Sequence, residues 1–193
     1  MAAISMDELA LANIAMAEFV VDGTTYATTR IDEVAYSAVI DEGQETILRV
    51  KNEFVATNRF DDLQYGSDLT FKQVTFTPEI LELIDGGTCT KGAEGEIESY
   101  APPAASSIVN RKLFKCNVYV EVKNKEGKYA CFTFDKLKGK PATFSFKDGE
   151  FISPEYGAFS RLNAGEVPYE VTFVDELPEI TNPYKERKYY GSN

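Results

Sequence analysis

The side chains able to do chemistry in this chain are carboxylates, lysines and three cysteines, and none is spaced for catalysis. Histidine is absent. That removes the commonest general base, the usual zinc ligand and every Ser-His or Cys-His nucleophile pair. Carboxylates adjoin at Asp7-Glu8, Asp32-Glu33, Asp41-Glu42, Asp61-Asp62 and Asp175-Glu176. Neighbours in a strand point to opposite faces, so none of these pairs is a ready-made acid and base. Asp61-Asp62-x-x-x-Gly66-x-Asp68 has a trace of a calcium loop, but lacks the spacing and the terminal bidentate glutamate; it reads as a turn. Gly86-Gly87 follows a helical pattern instead of opening one, so it is no phosphate cradle. No Gly-x-Ser-x-Gly occurs. No catalytic, cofactor-binding or metal-ligating residue emerges, no cofactor is implied, and the expectation is a non-enzyme.

Cys89, Cys116 and Cys131 are odd in number and far apart, with no Cys-x-x-Cys. They read as reduced thiols of a protein made in a cytosol. Cys116 and Cys131 fall in strand patterns and are expected to be buried. The start, MAAISMDELA, lacks the basic end and long apolar core of a secretory signal. No run of 18 apolar residues is present, so no membrane insertion is expected.

Net charge is −11 over 193 residues, unevenly placed. Residues 1–100 hold 19 acidic and 6 basic side chains, and residues 101–193 hold 12 acidic and 14 basic. So acidic a chain lacks the lysines and arginines that tight nucleic-acid binding needs. A like-charged wall lets DNA slide past, and a sign difference between two regions is a means of guiding subunits together. A plain soluble acidic surface is the simpler account.

These charges hang on a chain that is mostly strand by pattern. Phe19-Val20-Val21, Asp22-Gly23 and Thr24–Thr28 read as a hairpin. Val34, Tyr36, Ala38 and Ile40 share one face of a strand over 31–40. Residues 47–57 read as a half-solvated strand after a charged loop at 41–45. In 68–88, DLTFKQVTFTPEILELIDGGT, a strand runs into a two-turn helix, with a bulge or bend expected at Lys72-Gln73. Thr77 is placed to cap it, Pro78 to open it and Gly86 to close it in the left-handed conformation. Residues 89–107 show no period, and Pro102-Pro103 excludes a central ladder. Lys112–Lys123 is the clearest strand, turned at 124–127 and returned over 128–135. KLKGKP at 136–141 reads as a basic loop, residues 142–146 as a strand turned at Asp148-Gly149, 153–166 as loop, and 167–173 as the last strand.

The pattern implies a mainly β fold. Two packed antiparallel sheets, sandwich- or barrel-like, carry one short flanking α-helix. It is a single domain, 1–193, with an N-terminal arm or frayed end (1–17), long loops (41–67, 89–107) and a tail (176–193). That tail, with Tyr184-Lys185-Glu186-Arg187-Lys188-Tyr189-Tyr190, is either an unstructured end or an arm meeting acidic surface on a neighbour.

VKNEFVATNRF (50–60), GSDLTF (66–71) and TFTPEILELIDGGT (75–88) together resemble major tail tube proteins of long-tailed, siphovirus-like bacteriophages. The resemblance covers about residues 18–90. It implies a virion subunit, assembled in the host cytoplasm, forming hexameric rings that stack into a tube for genome delivery. Tape-measure and other tail proteins are the implied partners, DNA passes transiently without specific binding, and residues 41–67 are the segment that reaches the next ring. The Pro-Pro loop and the basic tail have no match in that family, which leaves a tail terminator with the same fold open. The other readings of the residues themselves are a monomeric β-sandwich binding or adhesin module and, more remotely, a carboxylate enzyme on a β scaffold.

Overall fold

The computed structural model describes residues 8–93, 95–105 and 108–180. In chain order the elements are β1 (Leu11–Val21), β2 (Thr24–Thr28), β3 (Ile31–Asp41), β4 (Glu45–Val50), β5 (Glu53–Arg59), β6 (Leu63–Gln73), α1 (Pro78–Asp85), β7 (Thr88–Lys91), β8 (Ile97–Ala101), β9 (Leu113–Val122), β10 (Tyr129–Gly139), β11 (Glu155–Arg161) and β12 (Glu170–Val174). Eight strands form one antiparallel sheet ordered β2-β1-β9-β10-β11-β6-β3, and β12 also pairs with β10. β10 changes partner along its length. Tyr129–Thr133 pair with β12, and Lys138-Gly139 pair with β11. The switch falls at a bulge between Phe134 and Leu137, where Lys136 takes a positive φ of 54°.

β2 and β3 sit at opposite ends of this order, yet only Thr29 and Arg30 separate them. The sheet must therefore curl until its margins approach, and β1 comes near β3. The expected mainly β fold with packed antiparallel layers and one helix holds, and the layers are two parts of one curled sheet. Phe19, Leu69, Phe71, Phe114, Cys116, Leu137 and Tyr156 fill the inside. Phe19 meets Phe71 edge-on at 5.4 Å and Phe114 at 6.1 Å. Burial pushes the Cys116 thiol far above its ordinary range and the Tyr156 hydroxyl up to about 12. A smaller cluster of Met16, Tyr119 and Cys131 is covered by Val174 and Leu177.

Helix α1 lies where the sequence places it, with Ile80, Leu81, Leu83 and Ile84 buried. Pro78 opens it and Gly86 closes it at φ 81°, but Thr77 makes no side-chain cap bond. Asp85 is buried at the helix C-terminus, where the dipole disfavours an anion. Three donors offset this: the Arg111 guanidinium at 3.5 Å, the Tyr100 hydroxyl at 2.6 Å and the Ala142 N–H at 3.3 Å. Burial and then the bond to Asp85 push the Tyr100 hydroxyl well above its usual range.

Several expectations are corrected. Residues 11–17 are no arm: they open β1, and Met16 and Ala17 are buried. Residues 1–7 lie outside the described residues. The strand expected over 47–57 is a hairpin, β4–β5, turned at Lys51-Asn52. The later part of the long loop expected over 41–67 shrinks to residues 60–62, because β6 starts at Leu63. β6 ends at Gln73 with a bend at 74–75, and the bulge sits opposite it, between Ile31 and Glu33. The stretch 89–107 contains a small hairpin, β7–β8. Most of the basic loop 136–141 is the end of β10. Residues 142–146 make only the single bridge Thr143↔Glu155, and 153–166 contains β11. The tyrosine-rich tail beyond Ile180 lies outside the described residues, while Leu177 packs onto the body.

Gly139 lets α1 lie directly on β10: a Cβ there would stand 1.9 Å from the Ile84 carbonyl oxygen. Gly139→Ala is therefore expected to cost about 3 kcal/mol, lowering the melting temperature by several degrees in a calorimetric comparison. An unchanged melting temperature would contradict the close packing.

Candidate assembly surface

β3 and β6 pair from Ile31↔Gln73 to Asp41↔Leu63, and β4 and β5 pair from Glu45↔Arg59 to Val50↔Glu53. The two pairings join into one ribbon. The Phe60 N–H donates to the Gln44 carbonyl at 3.0 Å, and the Gly43 N–H donates to Asp62 Oδ1 at 2.8 Å. Gly43 is required here, because a Cβ would stand 1.7 Å from the Phe60 carbonyl oxygen. Beyond that joint every residue from 44 to 65 is exposed. The β4–β5 part projects roughly 20 Å, six residues at about 3.3 Å each. It carries Ile47, Leu48, Val50, Phe54 and Val55, all exposed, Phe54 to 66%. A lone two-stranded hairpin is marginal in water.

The second feature is the free margin of the sheet. Among the described residues β3 pairs only with β6, so its other side offers unpaired N–H and C=O groups. Natural edges are usually blunted by lysine, proline or a bulge along the strand. β3 has neither lysine nor proline, its pairing with β6 shifts register only near its two ends, at Ile31/Glu33 and at Val39/Ile40, and Val34–Ile40 is uncharged. On the concave side Tyr36 stacks on Phe134 at 5.8 Å and meets Tyr169 edge-on at 5.3 Å. Gln64 Nε2 donates to the Tyr36 hydroxyl at 2.8 Å.

The segment carrying Tyr169 is held by Glu166. Its carboxylate pairs with Lys136 at the β10 bulge and accepts from the Asn163 N–H at 3.0 Å and Asn163 Nδ2 at 3.2 Å. The Lys136 contact, followed by the two from Asn163, pulls the Glu166 carboxyl down to about 2. On the convex side Asp68 receives Arg161 and Lys140, each at 3.3 Å, and the Arg161 guanidinium lies 5.2 Å from the Phe159 ring centre.

A third feature lies at the other end of β6. Phe76 meets Phe144 at 6.0 Å, Phe144 meets Phe146 at 6.4 Å, and Phe151 is 100% exposed. The total accessible surface is 14247 Å², whereas a compact monomer of 21.5 kDa exposes roughly 9,000 Å². The residues outside the described ranges account for at most about 3,800 Å², even counted as fully unfolded chain. A surplus over a compact fold therefore lies in the described residues.

Asp62 is used by Gly43 and Asp68 by its two cations, so the calcium-like triplet is not brought together. Among the described residues no group of three or more His, Cys, Asp and Glu is placed to hold a metal. No helix among them is long and apolar enough to cross a membrane. A cleft of about 270 Å³ between Tyr26, Glu82, Leu83 and Arg111 has walls of mixed charge. Its Lys112 is engaged with Asp22 at 2.6 Å. Sequence reasoning missed the Lys51-Asn52 turn and the exposure of Phe144 and Phe146.

No family model matches the chain, and no curated protein matches it. Among solved structures, one chain in the 6-fold symmetrised cryo-EM structure of the anti-feeding prophage baseplate is similar. The match covers 89% of this chain and 100% of that chain, at 10% identity and a TM-score of 0.45.

The Glu166 clamp has a signature in pH. Its carboxyl lies lower in the folded chain than its ordinary 4.5. The clamp's stabilisation is therefore fully present above about pH 4.5 and is lost as pH falls toward about 2. Glu166→Gln is expected to lower the denaturation midpoint at neutral pH, and the gap from wild type should close over that acid window. A gap independent of pH would remove the clamp.

Proposed function

We propose that this chain is a non-enzymatic structural subunit that assembles with copies of itself into hexameric rings stacked as the tail tube of a long-tailed phage, the conduit for genome delivery. The observation that carries the reading is the ribbon 31–73, with its free β3 margin, uncharged over Val34–Ile40, and its wholly exposed β4–β5 hairpin. A strand edge whose central run has no charge, lysine or proline is a template for a neighbour's strand. The other margin, β2 (Thr24–Thr28), is uncharged as well. Contact between two different margins is heterologous: it closes into a ring when the rotation divides a full turn. The hairpin then reaches along the axis to the next ring. The number six, the tape-measure and other tail partners, and the place in a virion tail come from the family resemblance of residues 50–88.

The net charge of −11 suits a lumen that DNA crosses without sticking. The alternative, a monomeric binding module, draws nothing from the small cleft beside α1, whose lysine is engaged by Asp22.

Negative-stain images and size-exclusion profiles of the concentrated protein are expected to show rings or tubes. A chain that stays monomeric at every concentration sinks the proposal. Replacing Glu45–Arg59 by a two-residue glycine link joins Gln44 to Phe60, which already share a hydrogen bond. That variant should melt within about 2 °C of wild type, since the hairpin contributes no core. Rings should persist and stacking should be lost; tubes of normal length would refute the hairpin's role.

A further inference from the structure

We propose that the aromatic patch at the Gln73 end of β6 is the seat for the β4–β5 hairpin of a second copy. This inference rests on the self-assembly reading above and names the surface that receives the hairpin. β6 runs eleven residues, from Leu63 at the hairpin joint to Gln73, a span of about 33 Å. The patch is tied to the Gln73 end by two bonds, and its Val74 to the β2–β3 connection by a third. The Gln73 N–H donates to the Pro154 carbonyl at 3.1 Å, Ser153 Oγ donates to the Gln73 carbonyl at 2.9 Å, and the Val74 N–H donates to the Arg30 carbonyl at 2.9 Å. Two exposed apolar elements thus stand at opposite ends of one strand. A shift of one copy along the ribbon axis brings the hairpin of the first onto the patch of the second. Such a contact is head-to-tail and does not close, so it propagates as a stack.

The patch also has the chemistry of a strand acceptor. Val74, Phe76, Phe144, Phe146, Phe151 and Ile152 are all exposed. The segment 142–152 has strand-like alternation and a formed turn: Gly149 lies at φ 77°, and the Glu150 N–H donates to the Lys147 carbonyl at 3.2 Å. Yet among the described residues its arms join no ladder beyond Thr143↔Glu155. The backbone of 144–146 is left to pair with an incoming strand. Charge agrees. The hairpin tip holds Arg49, Lys51 and Glu53, net positive, and the patch turn holds Lys147, Asp148 and Glu150, net negative.

The test uses two exposed-site variants, Phe54→Asp/Val55→Asp on the hairpin and Phe146→Asp/Phe151→Asp on the patch, both expected to melt as wild type does. Neither should stack alone. Mixed, each supplies the surface the other lacks, and two-unit stacks that grow no further are expected by electron microscopy. Wild type that stacks together with a patch variant that stacks equally well overturns this inference and leaves the tube reading standing. Wild type that never assembles overturns both. Hairpin variants that pair through their patches also overturn it. A milder pair decides if the aspartate variants fail to fold. Val55→Cys mixed with Phe146→Cys should give at least tenfold more oxidised dimer than wild type. Cys116 and Cys131 are buried in wild type, and the Cys89 thiol is pushed up to about 11 by burial and Glu82. Cross-linking no greater than wild type refutes the seat.

Discussion

Two residues, Thr29 and Arg30, link strands at opposite ends of an eight-stranded sheet, and the remaining architecture answers to that short tether. A flat sheet would hold β2 and β3 several strand widths apart, at about 4.8 Å per strand. The tether forbids this, so the sheet bends round its own apolar face. β10 bends with it, exchanging β12 for β11 across the bulge at Lys136. Helix α1 seals one end because Gly139 lets its backbone settle on the sheet. What the curl does not achieve is closure by hydrogen bonds. β2 and β3 finish with one side each unpaired among the described residues.

This places the charge asymmetry differently from the way it looks in one dimension. The acidic N-terminal half supplies both margins and the hairpin, and the more basic C-terminal half supplies β9–β12 in the middle. Opposite signs therefore meet inside the subunit: Asp22 with Lys112, Asp68 with Lys140 and Arg161, and Asp85 with Arg111. The two margins carry none of this charge in their central runs. There the uncharged runs Thr24–Thr28 and Val34–Ile40 leave backbone pairing and apolar contact to act.

Much of this was legible in the sequence where period and punctuation agreed. The Asp22-Gly23 hairpin, α1 with its Pro78 start and Gly86 stop, and β9 all appear at or close to the expected residues. The misses share physical causes. β11 was hidden because its inward residues include Ala158 and Ser160, small side chains buried by close strand packing rather than by hydrophobicity. The start of β1 was hidden by two register shifts, at Ala12/Ile14 and Ile14/Met16, which break the two-residue period. The turn at Lys51-Asn52 lacks the glycine that marks such turns, and Lys51 takes φ 56° itself. The stretch 142–146 has the alternation of a strand but makes one bridge. Alternation registers a side-chain pattern and is blind to whether a backbone partner exists in the same chain. The assembly surface was legible only in outline, through the family resemblance that implied 41–67 as the segment reaching the next ring.

The central claim is that β3 and the β4–β5 hairpin find backbone or side-chain partners only in other copies of the chain. Amide hydrogen exchange, followed from dilute to concentrated protein, tests this most directly. The outward-facing N–H groups of Ile31–Asp41 and the amides of Glu45–Arg59 should exchange quickly when dilute and become protected as the chain concentrates. Those of β9 should stay protected throughout. Full protection of the β3 margin in the dilute monomer, or none at any concentration, would contradict the account.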